Sequence, residues 1–224
     1  CTTKCKEVNG MPLEVTEING AQYNAPVDLS ATNMSIIKLY QDGNTHAFVK
    51  RQCMHCADPA CVSACMAGAL HKTDNGIVAY NKNVCVGCRY CQIACPFDVP
   101  KFTWSEAIPL IVKCEMCHHR PEGPGCCEAC PREAMVSGKM SDLTTLAHER
   151  IEKEPDKYFP RVYGENEAGG LHVLYLAGKE APFDKLGLPD VPSQPIPQAS
   201  ETIQHTLYKG FMAPAALFGI FTFA

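Results

Sequence analysis

An α+β fold of small nested units is what this sequence predicts, and three observations predict it. Thirteen of the 15 cysteines in a chain of 224 residues fall between Cys53 and Cys130. Twelve of these form three sets of four, with short strand-like stretches and tight-turn signals between the sets. Beyond Met140 the cysteines stop, and an aliphatic, proline-bearing pattern takes over. Apolar residues make up 46% of the chain with the cysteines counted among them, so the middle of the chain is too poor in Leu and Val for an ordinary core.

In chain order, residues 29–50 contain I-I-K-L-Y and T-H-A-F-V-K, read as a hairpin across Gln41–Asn44. After Cys65 the chain runs A-G-A-L-H-K, T-D-N-G and I-V-A-Y; Asn75-Gly76 is a strong hairpin turn between two short strands. P-R-E-A-M-V after Cys130 repeats the idea, so a short helix and a strand are expected behind each cysteine set. Ser141 is a candidate cap for a helix with Leu143, Leu146, Ala147 and Ile151 on one face, ending before Pro155. Leu171 to Ala177 reads as a buried strand after the Gly169-Gly170 break. The organisation expected is therefore residues 1–140 as a cysteine-rich domain, 141–180 as an α/β extension and 181–200 as a proline-rich, semi-rigid linker. Residues 201–224 are read as the start of a membrane anchor helix: Gly210 to Ala224 has Thr222 as its only polar residue, and Tyr208 and Lys209 stand where an interfacial anchor belongs. Fifteen residues span about 22 Å, less than a bilayer core of about 30 Å, so the run is expected to continue. The chain opens on Cys1 with neither Met nor leader, and a longer native start is expected.

Net charge −4 and a pI near 6.1 argue against nucleic acid as a partner. Disulfides, structural zinc and iron–sulfur clusters all use cysteine this heavily, and spacing separates them. C-V-G-C-R-Y-C-Q-I-A-C-P places Cys85, Cys88, Cys91 and Cys95 ahead of Pro96, the bacterial ferredoxin spacing C-x2-C-x2-C-x3-C-P. Cys53, Cys56, Cys61 and Cys65 form a second set, Cys114, Cys117, Cys126 and Cys130 a third. Cys1 and Cys5 have the x3 spacing that closes each set, so they read as the end of a fourth whose leading pair lies upstream. Cys127 is left over; it could exchange with Cys126, but only Cys126 keeps the x3 spacing to Cys130. Zinc ribbons separate their C-x2-C pairs by longer loops, and cysteines two residues apart bridge each other poorly.

Sets nested in this way resemble the iron–sulfur electron-transfer subunits shared by molybdenum oxidoreductases and membrane hydrogenases, which look like two fused ferredoxins. R-Q-C-M-H-C-A-D-P-A-C, V-C-V-G-C-R-Y-C-Q-I-A-C-P-F-D-V-P-K and K-C-E-M-C carry that resemblance. V-Y-G-E-N-E-A-G-G-L-H-V-L-Y-L-A-G (162–178) and I-Q-H-T-L-Y-K-G (203–210) narrow it to the HybA-type subunits of hydrogenase-2-like, membrane-bound nickel–iron hydrogenase complexes. The resemblance implies tandem, nested bacterial-ferredoxin-like domains around four 4Fe–4S clusters, a C-terminal extension and a single transmembrane helix. It implies cross-ligation: Cys53, Cys56 and Cys61 with Cys95; Cys85, Cys88 and Cys91 with Cys65; Cys114, Cys117 and Cys126 with Cys5; and Cys1 and Cys130 with two cysteines further upstream. Met66 stands where proline usually follows the closing cysteine, and no ligand position carries Trp or Asp, so no three-iron centre is expected.

The function so implied is a non-catalytic electron wire. Its partners would be the small and large hydrogenase subunits, a multi-pass quinone-binding membrane subunit, the lipid bilayer and, indirectly, the quinone pool. Its place would be the periplasmic face of the bacterial cytoplasmic membrane, after twin-arginine export. Neither R-x-C-G-x-C nor D-P-C-x-x-C occurs, so this is not the hydrogen-activating subunit. The same wire in a polysulfide, tetrathionate or dimethyl-sulfoxide-type reductase, and a soluble polyferredoxin carrier, are the alternatives. Lys50, Arg51, Arg89, Lys101 and Lys113 either offset cluster charge or are solvated surface residues. His55, between two ligands, either donates to a sulfide or packs; His118-His119 are weak zinc candidates; His205 is a candidate for a quinone pocket.

Overall fold

The computed structural model describes residues 1–13 and 26–197. Its regular elements are short. Helix α1 (Thr2–Val8) is followed by the hairpin β1 (Ile36–Asp42) and β2 (Thr45–Arg51), antiparallel from Ile36↔Arg51 to Asp42↔Thr45. The turn falls at Gly43-Asn44, inside the expected Gln41–Asn44 span. One-turn helix α2 (Ala60–Ser63) leads to a second hairpin, β3 (Leu70–Lys72) with β4 (Val78–Tyr80). Asn75-Gly76 makes its turn as expected: Gly76 has φ +82°, and a Cβ there would lie 2.3 Å from His172 Nε2, so only glycine fits. Helix α3 (Tyr90–Ala94), the pair β5 (Lys101–Phe102) and β6 (Ile111–Val112), helix α4 (Gly125–Glu128) and the longer α5 (Met140–Lys153) complete the series. The short helices pack in pairs, α2 on α3 and α1 on α4. The N-terminal segment and the last cysteine set are thereby brought together across the length of the domain.

Several expectations need correction. The short helices do not follow the cysteine sets but lie inside them, and residues 131–136 form turns rather than a strand. Lys139, not Ser141, caps α5, without a side-chain hydrogen bond. The apolar face of α5 is as expected, with Ala147 buried and Leu143, Leu146 and Ile151 half-buried. Leu171 to Ala177 is no strand. It makes isolated antiparallel bridges, Cys56↔Leu171 and Tyr163↔Tyr175, because it braces the first cysteine loop and not a sheet.

Nor does the molecule lack an apolar core. Leu29, Ile36, Val49 and Met54 pack with Phe97, Val99, Tyr163, Leu171 and Phe183 in one buried cluster. Aromatic rings knit it, with Tyr163 and Phe183 centroids 5.4 Å apart and Phe159 edge-on to Phe183 at 5.7 Å. The extension supplies much of this set, which a count taken over the cysteine-rich stretch could not reveal. The proline-rich stretch, as far as Pro197, is also packed rather than free: Ala181, Phe183 and Leu188 are buried, and Tyr163 Oη donates to Pro189 O at 2.7 Å. A smaller cluster of Leu70, Val78, Cys91, Phe102 and Ile111 underlies the second hairpin. Among the described residues no helix is long and apolar enough to cross a membrane. The run Gly210–Ala224, Tyr208, Lys209 and His205 lie outside the described residues.

Candidate metal centres

Each complete cysteine set is built the same way. Between the first two cysteines the second spacer residue turns left-handed: His55 at φ 48°, Gly87 at φ 66° and Met116 at φ 51°. That turn folds C-x2-C back so that both thiols face one side. Glycine adopts it freely, whereas His55 and Met116 cost about 1–3 kcal/mol each and persist only because surrounding contacts hold them. The third cysteine then sits one residue into a one-turn helix, Cys61 in α2, Cys91 in α3 and Cys126 in α4. The fourth cysteine of each set, Cys65, Cys95 or Cys130, follows beyond the end of that helix.

The structure brings the thiols together across the sets. Cys56 and Cys61 each lie close enough to Cys53 and Cys95 to feel their charge. Cys91 feels Cys65, Cys85 and Cys88 in the same way. Cys65, Cys85, Cys88 and Cys91 line one open cleft together with Phe102 and Ile111. Cys5 lies by Cys114 and Cys117, and the buried Lys50 acts on both Cys5 and Cys126. Cys1 Sγ reaches Cys126 O at 3.8 Å. All the cysteines are free thiols. Among the described residues no three His, Cys, Asp or Glu side chains converge on a point as around a single ion.

Electrostatics bear on what can be held there. Burial pushes the Cys56 thiol up to about 12 and Cys91 to about 11, and raises Cys61, Cys95 and Cys5 as well; neighbouring thiols add to it. The pockets therefore disfavour bare thiolates and need a positive centre to stabilise them. All-sulfur donor sets, clustered but not convergent, fit four-iron clusters. Backbone N–H groups already point at sulfur: Ala69 N to Cys65 Sγ at 3.2 Å, Met116 N to Cys114 Sγ at 3.4 Å. Those of Phe97 and Val99 act on Cys95, and those of Arg132, Ala134 and Met135 on Cys130. In the Cys126–Cys127 pair, the Cys127 thiol and the Lys50 charge hold Cys126 down, while Cys127 is pushed up and lies by Ser137. Cys126 is thus the better thiolate of the two.

Of the basic residues singled out in the sequence, Lys50 and Lys113 are buried. Lys101 pairs with Asp98 at 2.7 Å, and the Arg89 guanidinium stacks over Trp104 at 4.3 Å. His118 pairs with Glu115 at 3.4 Å. Sequence reasoning missed the clamp on the first loop. His172 N donates to Met54 O and His55 O, His172 Nδ1 meets His55 O at 2.9 Å, Ala57 N donates to Gly170 O at 2.8 Å, and Tyr175 Oη donates to Lys50 O at 2.6 Å. Lys72 Nζ closes the same loop from β3, donating to Cys56 O at 2.8 Å and to Ala57 O.

A family model described as "4Fe-4S dicluster domain" matches residues 44–140. The chain is 37% identical to the Hydrogenase-2 operon protein HybA of Escherichia coli O157:H7, over 97% of this chain and 76% of that protein. It is 33% identical to the iron-sulfur subunit of the nitrate-inducible formate dehydrogenase of E. coli strain K12, over 100% of this chain and 77% of that one. It is also 33% identical to a component of the anaerobic dimethyl sulfoxide reductase of Haemophilus influenzae, over 65% of this chain and 69% of that protein's length. Interlocked thiol sets and a match running through the extension together place the chain in the family of HybA-type iron–sulfur electron-transfer subunits.

Proposed function

We propose that this chain passes electrons through four 4Fe–4S clusters between a periplasmic nickel–iron hydrogenase and a membrane quinone-reactive subunit. The observation that carries the reading is the exchange of closing cysteines, Cys95 facing Cys53, Cys56 and Cys61 while Cys65 faces Cys85, Cys88 and Cys91. Two centres sharing ligand loops in this way lie close together, as stepwise electron transfer requires. The bound clusters supply one-electron redox chemistry. The chain's own residues hold the sulfurs, exclude water and set the charge and N–H donors around them.

The assignment is Cys53, Cys56, Cys61 and Cys95 for one cluster; Cys85, Cys88, Cys91 and Cys65 for a second; Cys114, Cys117, Cys126 and Cys5 for a third; Cys1 and Cys130 with two upstream cysteines for a fourth. Near the exposed Cys88, Val86 is exposed and Trp104 is exposed against the neighbouring Arg89, and Ile93 of α3 is 80% exposed; this uncovered apolar area supports life as a subunit rather than as a free carrier. Anchoring by the 201–224 segment on the periplasmic side, after twin-arginine export, belongs to the same proposal.

The same role beside a formate dehydrogenase or dimethyl sulfoxide reductase is the second reading, supported by 33% identity to their subunits against 37% to HybA. Purification of the native complex decides between them. Nickel in the partner and hydrogen-dependent quinone reduction that stops when this chain is deleted support the hydrogenase reading; molybdenum in the partner overturns it.

A further inference from the structure

One residue of the second hairpin holds two buried polar side chains that the ligand assignment does not use. In the β3–β4 register Val78 faces Lys72 across a non-hydrogen-bonded position, so its N–H and C=O both point away from β3. The N–H donates to His55 Nδ1 at 3.0 Å, and the C=O accepts from Lys113 Nζ. Lys113 Nζ also donates to Cys114 O at 3.1 Å.

His55 is 0% exposed and Lys113 2% exposed. With Nδ1 accepting, the neutral ring carries its proton on Nε2, and that nitrogen is buried without a hydrogen-bond partner among the described residues. The Cys114 side chain is the thiol that acts on this ring. Lys113 makes no ion pair among the described residues; the nearby Glu115 carboxylate turns to His118. A buried ammonium without a carboxylate needs some other counter-charge, and Lys113 acts on Cys61 from one side while bonding Cys114 O on the other.

We propose that Lys113 and His55 are positioning residues for electron transfer: clamped by Val78, Lys113 sets a fixed positive charge between the Cys61 and Cys114 loops and His55 presents an N–H donor beside the Cys114 sulfur, and together they raise the reduction potentials of the clusters held there. The inference rests on the ligand sets proposed above. A positive charge nearby stabilises the reduced cluster, which carries one more negative charge, and an N–H donor to sulfur acts in the same direction.

The test is a potentiometric titration followed by electron paramagnetic resonance on the full chain in its native complex, with iron counted. Lys113→Met is expected to keep all iron and to lower the reduced-to-oxidised ratio of one cluster at least tenfold at fixed potential, about 59 mV for a one-electron couple. The same cluster is expected to shift less in His55→Phe, with loss of an exchangeable-proton hyperfine coupling. His55→Gln, which offers both an acceptor and an N–H, should restore much of it. Should Lys113→Met lose iron, Lys113→Gln keeps donors for both carbonyls without the charge and is read instead. Unmoved potentials at full iron content, or iron loss in both Lys113 variants, overturn the proposal. Iron-free wild-type complex would overturn the ligand assignment itself.

Discussion

Residues 53–130 and residues 159–197 are held together by different physics. In the first region the strands are two or three residues long, the helices are single turns, and the thiols sit in pockets that penalise their own ionisation. In the second there is almost no regular structure, yet Val162, Tyr163, Ala168, Leu171, Ala177 and Phe183 are almost wholly buried. The cysteine region has only the small cluster of Leu70, Val78, Cys91, Phe102 and Ile111 of its own, whereas the extension is bonded by apolar area and clasps the first cysteine loop through His172, Gly170 and Tyr175. A thiol-lined region thus borrows order at one end from an apolar one.

Iron removal separates the two most strongly. Chelation under reducing conditions is expected to abolish amide hydrogen-exchange protection across residues 85–130, while the β1–β2 hairpin and residues 159–188 retain the most. Equal loss in both would end the distinction. A graded form of the same experiment uses pH. Cys56 at about 12 and Cys91 at about 11 are protonated at neutral pH in the empty fold, so binding iron must expel their protons, and bound iron is expected to be released as pH falls. The iron-free fold has the opposite sign. Those raised values favour the folded thiol form below the ordinary value of 9.0, and that contribution is lost as pH rises from there towards 11–12. Iron release and unfolding midpoints against pH check the two slopes.

On the apolar side, Tyr163→Ala, 1% exposed in the wild type, is expected to cost about 3–5 kcal/mol in denaturant unfolding while leaving the iron content of folded protein unchanged. Gly87→Ala acts within one cysteine loop. Its Cβ would meet Pro109 O at 2.7 Å at φ +66°, costing about 1–3 kcal/mol and loosening the centre of Cys85, Cys88 and Cys91, seen as faster loss of that cluster's signal. Smallest is Lys72→Met, which removes the bonds to Cys56 O and Ala57 O; about 1–2 kcal/mol and faster exchange at Ala57 are expected.

The cysteine sets were legible because ligand spacing is a local property, and both hairpins because Gly43-Asn44 and Asn75-Gly76 are local turn chemistry. The clamp was not legible: Leu171–Ala177 reads as a strand by composition, and only its distant partners, Met54, His55 and Lys50, reveal a brace. Prolines made 181–197 look like a spacer, while Phe183 and Leu188, lacking any helical or strand period, gave no hint of burial. For Lys113 the sequence left two readings open, an offset to cluster charge or a solvated surface residue; its burial depends on Val78, 35 positions away, and so was not legible.

The interlocking of the sets is tested most directly by Cys95→Ser, compared spectroscopically with Cys56→Ser and Cys88→Ser. Cys95 follows Cys85, Cys88 and Cys91 in the chain but faces Cys53, Cys56 and Cys61 in space. Replacing it is predicted to disturb the same paramagnetic signal and potential as Cys56→Ser and to leave the Cys88→Ser signal intact. Disturbance of the Cys88→Ser signal instead would contradict the exchange of ligands and the wire built on it.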